Sequence, residues 1–278
     1  MNNHITEQLS PDQIPEKWSN IASAYHAAFE SLTSQFADDV LHRLKPKIGE
    51  SVLDVAAGTG AFSIAAAKLG ADVLATDFAD GMVDHIQSRV DEALMHNIKV
   101  KVMDGQALDI DDASYDISVS IVGLIFFPDI EKGFAELKRV LKPGGRCAVV
   151  CWDIPKNFDM MKLLKQSIET AVPDFKMPEQ TPVWARLVGE QALHEKFQQA
   201  GFDRVDVKTI DGLLTLDSVE DFWSAFISSS PPMNALFEAL GEDNTIKAGK
   251  VFVKLATDNH QKEIVTLASK ACVGIAYV

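Results

Sequence analysis

The sequence predicts an α/β fold with one doubly wound sheet, mostly parallel with a final antiparallel strand, extended by helical cap and lid insertions. Apolar runs and amphipathic helical segments alternate from residue 51 to residue 152, which is typical of a parallel sheet with helices on both faces. A loop of small residues joins the first strand to its helix. After Trp152 the alternation breaks, because long insertions separate the last apolar runs.

The predicted elements follow hydrophobic periodicity and turn residues. An amphipathic helix begins near Trp18 and ends by Pro46. The KPGG segment (142–145) is expected to form a turn, with positive φ at Gly144, so that the next strand starts at Arg146. The other predictions are strands over 51–57, 72–77, 98–104, 115–122, 202–210 and 271–278, and helices over 61–70, 81–97, 130–141 and 189–200.

No repeat or linker divides the sequence, so we predict a single domain over residues 1–278. The last strand is expected to return to the first sheet. The predicted parts are an N-terminal helical cap (1–45), a ligand-binding core (46–155), lid or insertion helices (156–200 and 211–268) and closing strands (201–210 and 271–278).

Composition excludes several classes of protein. Hydrophobic residues make up 47% of the 278 residues and charged residues 24%, as in soluble globular proteins. The net charge of −14 disfavours nucleic acid and anionic membranes as partners. No apolar run reaches the roughly 20 residues that span a bilayer, and the N-terminus does not resemble a secretory signal, so we expect a cytoplasmic protein. A homo-oligomer is compatible with the sequence.

Cysteine and histidine patterns predict neither disulfides nor a metal site. Three cysteines are too few for a disulfide framework. Cys147 and Cys151 are four residues apart on one predicted strand, hence about 13 Å apart, too far for a disulfide. We therefore expect both to be core thiols. No histidine or cysteine cluster has the spacing of metal ligands.

The segment VLDVAAGTGAFS predicts a site for a nucleotide-like ligand. Residues 56–60 are small, so the backbone can approach a ligand, and the following helix start favours an anionic group. Rossmann-like dinucleotide sites use G-x-G-x-x-G for the same reason, but Ser63 stands where the third glycine would be. Asp54, inside the first strand, is placed to meet a ligand ammonium group, which NAD does not offer.

Two more acids stand at predicted strand ends. Asp77 closes the second strand, where it would accept hydrogen bonds from ribose hydroxyls of either NAD or adenosine. Asp104 closes the third strand, where its carboxylate would accept an adenine amino proton while the next amides face the ring nitrogens. Acids at three consecutive strand ends favour a nucleoside ligand over solvated strand ends.

Taken in order and spacing, four segments resemble class I S-adenosylmethionine-dependent methyltransferases, in the group that includes the ubiquinone and menaquinone biosynthesis C-methyltransferases: VLDVAAGTG, ATDFADGMV, VMDGQALDIDDASYDISVS and VLKPGGRCAVVCW. The resemblance covers Trp18 to Trp152 and continues only in outline beyond it. It implies S-adenosyl-L-methionine as the cofactor and a Rossmann-like sheet. Met82 and Tyr25 fit a place in the core nearly as well as a place at the cofactor. The implied cofactor residues are Tyr25, Asp54, Ala56, Gly58, Thr59, Gly60, Asp77, Phe78, Met82, Asp104, Gly105, Gln106 and Ile121.

Methyl transfer is a displacement at carbon, so alignment of the nucleophile and exclusion of water supply much of the acceleration. A base is needed only where the acceptor must lose a proton. The sequence does not identify a catalytic residue, and the candidates are His26 and His194.

The insertions predict a lid over a small, apolar or aromatic acceptor that is methylated on O, C or N. Packing of the insertion helices explains the same apolar residues equally well. Two alternatives stay open: an NAD(P)-dependent oxidoreductase, and a non-catalytic S-adenosylmethionine-binding protein. The apolar residues of the insertions are Met160, Met161, Phe175, Trp184, Phe222, Trp223 and Phe226.

Overall fold

The computed structural model describes residues 10–177, 183–259 and 264–278. Its strands are β1 (Ser51–Val55), β2 (Asp72–Asp77), β3 (Ile98–Val102), β4 (Tyr115–Ile121), β5 (Leu141–Trp152), β6 (Asp203–Leu216) and β7 (Val265–Tyr277). Its helices are α1 (Pro15–Ser19), α2 (Ala22–Leu44), α3 (Ala61–Lys68), α4 (Asp80–Glu92), α5 (Ile130–Arg139), α6 (Asp159–Ala171), α7 (Glu190–Gln199), α8 (Val219–Phe226), α9 (Pro231–Leu240) and α10 (Glu242–Asn259).

These strands form one sheet in the order β3-β2-β1-β4-β5-β7-β6. Strands β1 to β5 are parallel to one another, and β7 lies antiparallel between β5 and β6. The predicted fold class, including the antiparallel final strand, is confirmed. Because strand order reverses between β1 and β4, the loops that follow these strands leave a crevice at the carboxyl edge of the sheet.

Helix α5 shows how local sequence sets these elements. It begins after Asp129, whose Oδ1 accepts a hydrogen bond from the Lys132 backbone N–H at 3.0 Å and so caps the helix. Ile130, Phe134 and Leu137 recur at helical spacing and are buried. The apolar stripe therefore holds α5 against the sheet, as its periodicity predicts.

The prediction of a single N-terminal helix is wrong, because helical geometry is interrupted between α1 and α2. Ile21 leaves helical geometry with φ of −119° and ψ of 7°. This break allows Trp18 and Ile21 to bury against Met82 in a small separate cluster. Phe36, farther along α2, packs in the main core instead. The predicted end of the helix before Pro46 is confirmed, since α2 stops at Leu44.

The predicted start of the fifth strand at Arg146 is also wrong, because β5 begins at Leu141. Tyr115 of β4 pairs with Leu141, whereas Ile117 already pairs with Arg146, so the KPGG residues form a bulge inside the strand. Gly144 does adopt positive φ, +81°. Backbone bonds between residues 144–145 and residue 278 keep the bulge in the sheet.

The closing strands are longer than predicted. β6 continues to Leu216 and β7 begins at Val265, so residues 211–216 and 265–268, which were predicted to belong to the lid, lie in paired strands. Because these residues pair beyond the end of β5, the two strands extend past the rest of the sheet. The side chain of Gln35 on α2 bonds both backbone groups of Leu213, which anchors the extension to α2.

We expect the fragment 1–155 to fail to fold cooperatively. In the whole chain β7 bonds to β5 along seven register pairs from Arg146 to Trp152, so truncation exposes a buried strand as a sheet edge. Thermal unfolding followed by circular dichroism should show no cooperative transition for the fragment and a clear one for the whole chain. A soluble fragment with a sharp transition would contradict this expectation.

Candidate functional site

A cavity lies at the carboxyl edge of the sheet, where β1, β2 and β4 end. Gly60 is the one predicted cofactor residue that does not line it. Gly60 begins α3 with φ of +87°, and a Cβ there would lie 3.1 Å from the Ile86 side chain. The predicted residues that do line this first cavity are Tyr25, Asp54, Ala56, Gly58, Thr59, Asp77, Phe78, Met82, Asp104, Gly105, Gln106 and Ile121.

Asp54 is a buried carboxylate with one free oxygen. Its Oδ2 accepts a hydrogen bond from Ser63 Oγ at 2.6 Å, whereas its Oδ1 is buried and has no partner among the described residues. Burial, with a smaller contribution from the nearby charge of Asp77, raises the pKa of Asp54 to about 7 against the opposing Ser63 bond. An unpaired buried carboxylate oxygen is costly, so the cavity favours a ligand that brings a hydrogen-bond donor.

Asp77 fixes the conformation of the loop of residues 56–60, the glycine loop. Its Oδ2 accepts a hydrogen bond from Gly58 N at 2.9 Å, and its Oδ1 accepts one from Ala79 N at 3.0 Å. Burial raises the pKa of Asp77 to about 6, although both backbone bonds oppose the shift. The loop itself is strained, because Ala56 adopts a left-handed φ of +56°, which costs a non-glycine residue about 1–2 kcal/mol.

Asp104 and Gln106 form the outer wall of the first cavity. β3 ends at Val102, so Asp104 lies in the following loop and not on the strand, contrary to the prediction. Asp104 Oδ1 accepts hydrogen bonds from the backbone N–H of Gln106 at 2.9 Å and from its side-chain amide at 3.1 Å. Gln106 Oε1 in turn accepts from Asp129 N at 2.9 Å, which ties this wall to the start of α5.

Tyr25 lies on α2 above the glycine loop. A Cβ on Gly58 would be 3.6 Å from Tyr25 Cε1, and the ring packs edge-on against Trp18 at a centroid distance of 6.0 Å. Burial, reinforced by Glu30 and Asp77, raises the pKa of Tyr25 well above its usual value of 10. The phenol therefore stays protonated at neutral pH and does not act as a base.

A second, nearly apolar cavity adjoins the first. The two cavities share Trp18, Tyr25, Val122 and Phe126. No carboxylate or histidine occurs among the described residues that line the second cavity. The other residues of its lining are Phe29, Trp152, Phe158, Met160, Met161, Trp184, Phe226, Ser230, Pro232 and Met233.

The residues predicted to form a lid divide into two groups. Met160, Met161, Trp184 and Phe226 line the second cavity. The remainder pack in the interior, as the alternative interpretation predicts: Phe222 and Trp223 contact Phe252, and Phe175 packs against the main core.

Neither candidate catalytic histidine lines either cavity. His26 Nδ1 lies 3.5 Å from Glu30 Oε2, and its ring is 4.9 Å from that of His85 on α4. His194 lies on α7, next to Leu193. The side chain of Leu193 packs closely against Gly274 of β7, where a Cβ would lie 3.1 Å from it. The structure therefore places neither histidine in the lining of the two cavities.

Several lining residues were not predicted from sequence. Trp18, Phe126 and Val122 lie at the junction of the cavities, and Phe127 and Gly123 line the first. Val122 has a left-handed φ of +59°, which is rare for a β-branched residue and marks strain at this point. The apolar run VGLIFFP after β4 was a usable signal, since ligands bind beyond the carboxyl ends of strands in such sheets.

Known proteins share this sequence pattern and fold. The family described as a methyltransferase domain matches residues 52–145. An uncharacterized protein of Mycobacterium tuberculosis is 32% identical over 157 residues, which cover 53% of this chain and 57% of that protein. A demethylmenaquinone methyltransferase of Clavibacter sepedonicus is 35% identical over 153 residues, covering 52% of this chain and 60% of the relative. The matched regions thus span little more than half the length of these relatives.

Among solved structures, the [4+2]-cyclase SpnF superposes with a TM-score of 0.61 at 16% identity, covering 96% of both chains. This similarity concerns the fold. Within the described residues, no helix is long and apolar enough to cross a membrane, and no group of metal-ligating side chains is assembled. Residues 52–145 of the chain thus match the methyltransferase-domain family, and about half of the chain is similar in sequence to a demethylmenaquinone methyltransferase.

Proposed function

We propose that the protein transfers a methyl group from S-adenosyl-L-methionine to O, C or N of a small, apolar or aromatic molecule in the cytoplasm. The observation that supports this most strongly is the junction of two unlike cavities at Tyr25 and Val122. The first contains a buried carboxylate, and the second is lined almost wholly by apolar side chains. A cofactor with an ammonium group suits the first cavity, and an uncharged acceptor suits the second.

The residues of the first cavity fit this cofactor. The free Oδ1 of Asp54 would accept from its ammonium group, and Asp77 would accept from the ribose hydroxyls while keeping its bonds to the loop. Gly105, in the outer wall beside Asp104 and Gln106, lets the backbone pack directly against Phe127 and Val55, because a Cβ there would collide with both. Asp104 and Gln106 supply acceptors and donors for a base edge.

When bound, S-adenosylmethionine would supply an activated methyl group on its sulfonium, with a neutral thioether as the leaving group. The protein aligns the two molecules and excludes water. Trp18 and Phe126, with ring centroids 5.0 Å apart, form an apolar wall at the junction. Tyr25 can orient an acceptor through its hydroxyl. Since no carboxylate or histidine occurs among the described residues that line the second cavity, we expect acceptors whose reacting atom needs no deprotonation by the protein.

The alternatives are less well supported. NAD would satisfy Asp77 but leave Asp54 Oδ1 without a partner. A non-catalytic protein that binds S-adenosylmethionine stays compatible with the site, because the fold alone does not fix a reaction, and the similar SpnF is named as a cyclase. Binding without turnover on a broad panel of acceptors would favour that reading.

Calorimetric titration with S-adenosylmethionine, S-adenosylhomocysteine and NADH tests the proposal. We expect both sulfur ligands to bind and NADH to give no signal. Asp77→Ala should weaken the sulfur ligands by about 1.5–3 kcal/mol, since it removes charged hydrogen bonds. Asp77→Asn separates that loss from damage to the loop, because its amide oxygen can still accept from one backbone N–H.

The matched control is Asp72→Ala, which removes an exposed acid from the other end of the same strand and should not change affinity. Binding of NADH in place of the sulfur ligands would make the protein an oxidoreductase and refute the proposal.

A further inference from the structure

Glu30 on α2 joins the N-terminal cap to the glycine loop. Its Oε2 accepts a hydrogen bond from Thr59 Oγ1 at 3.0 Å, and its Oε1 lies 2.9 Å from Nη2 of Arg89 on α4. The Glu30 side chain is only 18% exposed. This carboxylate therefore connects three elements: the cap helix, the loop that lines the first cavity, and α4.

Arg89 completes the connection from the other side. Its Nη1 donates to the carbonyl oxygen of Thr59 at 2.5 Å. Thr59 is thus held at its hydroxyl by Glu30 and at its carbonyl by Arg89, and it is itself 2% exposed. Charged hydrogen bonds that are partly shielded from water are stronger than exposed ion pairs, so this arrangement can hold α2 in place.

The same helix also covers the first cavity. Tyr25 lies less than two helical turns before Glu30 and packs above Gly58. α2 consequently touches the glycine loop at two points, through Tyr25 above Gly58 and through Glu30 at Thr59. A molecule that leaves the cavity on this side requires α2 to move away, which breaks the contacts of Glu30 with Thr59 and Arg89.

We propose that Glu30 is a positioning residue that latches α2 onto the glycine loop and thereby sets how slowly the cofactor leaves the first cavity. This inference rests on the proposed function, because it requires the cofactor to occupy that cavity. Glu30 does not line either cavity, so its effect acts through Thr59 and through the placement of Tyr25.

Stopped-flow measurement of S-adenosylhomocysteine dissociation, followed by the fluorescence of Trp18 and the other tryptophans, tests the latch. We expect Glu30→Ala to raise the dissociation rate about 10- to 100-fold, the scale of one or two charged hydrogen bonds. Glu30→Gln should have a smaller effect, because its amide oxygen can still accept from Thr59 Oγ1. In turnover, KM for S-adenosylmethionine should rise while kcat is maintained or increased.

The matched control is Asp39→Asn, which removes an acid of the same helix that pairs with Arg43 at 2.6 Å far from the loop. It should change the dissociation rate less than twofold. A double-mutant cycle of Glu30→Ala with Thr59→Val should be strongly non-additive, because both changes break the same contact. Hydrogen exchange of the α2 amides in the ligand-free protein should rise in Glu30→Ala and not in Asp39→Asn.

A lower melting temperature with unchanged dissociation would assign Glu30 a purely structural role and overturn the latch, while cofactor binding itself would stand. Failure of the wild-type protein to bind S-adenosylhomocysteine would overturn the proposed function, and the latch as a cofactor-retaining device with it.

Discussion

Asp54→Asn is expected to stabilise the ligand-free protein at pH 8 and, at the same time, to weaken its binding of S-adenosylmethionine. The carboxylate is buried with one free oxygen, so the folded protein pays for its charge. Asparagine keeps an acceptor for Ser63 and removes that charge. We expect the free energy of unfolding to rise by about 1–3 kcal/mol and the affinity to fall by about 10- to 150-fold.

The pH dependence follows from the direction of the shift. Folding raises the pKa of Asp54 from 3.8 to about 7, and that of Asp77 from 3.8 to about 6. Between these values the folded chain binds more protons than the unfolded chain, so the stability of the ligand-free protein falls as pH rises from about 4 to about 7. Asp54→Asn should flatten this dependence.

Cofactor affinity should show the opposite trend. An ammonium group needs the ionised form of Asp54, so Kd should rise by up to about tenfold for each pH unit below 7. Urea unfolding and calorimetry from pH 5 to pH 9 measure both quantities. The explanation fails if Asp54→Asn destabilises the ligand-free protein at pH 8, or if the wild-type affinity is independent of pH. Glu169→Gln, an exposed acid on α6 paired with Lys165, is a control that should leave both profiles unchanged.

The sequence predicted the site best where it is local. Asp54, Gly58 and Asp77 belong to consecutive strand–loop segments, whose spacing alone places them at one edge of a parallel sheet. It failed where distant segments meet: the aromatic junction joins Trp18 to Phe126, more than one hundred residues away. Periodicity carries no information on such pairs. The full length of β6 and β7 was not predicted for the same reason, because the ends of each strand are set by the residues with which it pairs.

Ser63 illustrates a different limit. In the sequence it served only as a departure from the dinucleotide pattern, whereas in the structure its hydroxyl donates to Asp54 and holds one carboxylate oxygen. For the candidate histidines, residue type suggested chemistry, but only the tertiary structure could show that His26 lies beside Glu30 and His85 and outside the lining of both cavities.

The second large effect is expected at Gly105, in the wall of the first cavity. A Cβ at this position would lie 2.4 Å from Phe127 Cζ and 2.6 Å from Val55 Cγ1. Phe127 has little room to shift, because its ring also packs against Gly133, where a Cβ would lie 2.7 Å from Phe127 Cδ2. Gly105→Ala should therefore destabilise the protein by about 1–3 kcal/mol and weaken S-adenosylmethionine, since Gly105 lines the cavity.

Because Gly105→Ala destabilises the protein through a steric clash, a second substitution that removes the clash should restore stability. Phe127→Leu alone should destabilise the protein through lost packing, yet in the Gly105→Ala background it should recover stability, because the shorter side chain makes room for the new methyl group. Gly49→Ala is the control: its Cβ meets open space, so the cost is only the strain of a positive φ, about 1 kcal/mol, with no change in affinity. Chemical unfolding and calorimetry on the four variants give both quantities. Strict additivity of the stability changes in Gly105→Ala and Phe127→Leu would show that the two side chains do not compete for this space. The contact of Gly105 with Phe127 would then not determine the shape of this wall of the first cavity.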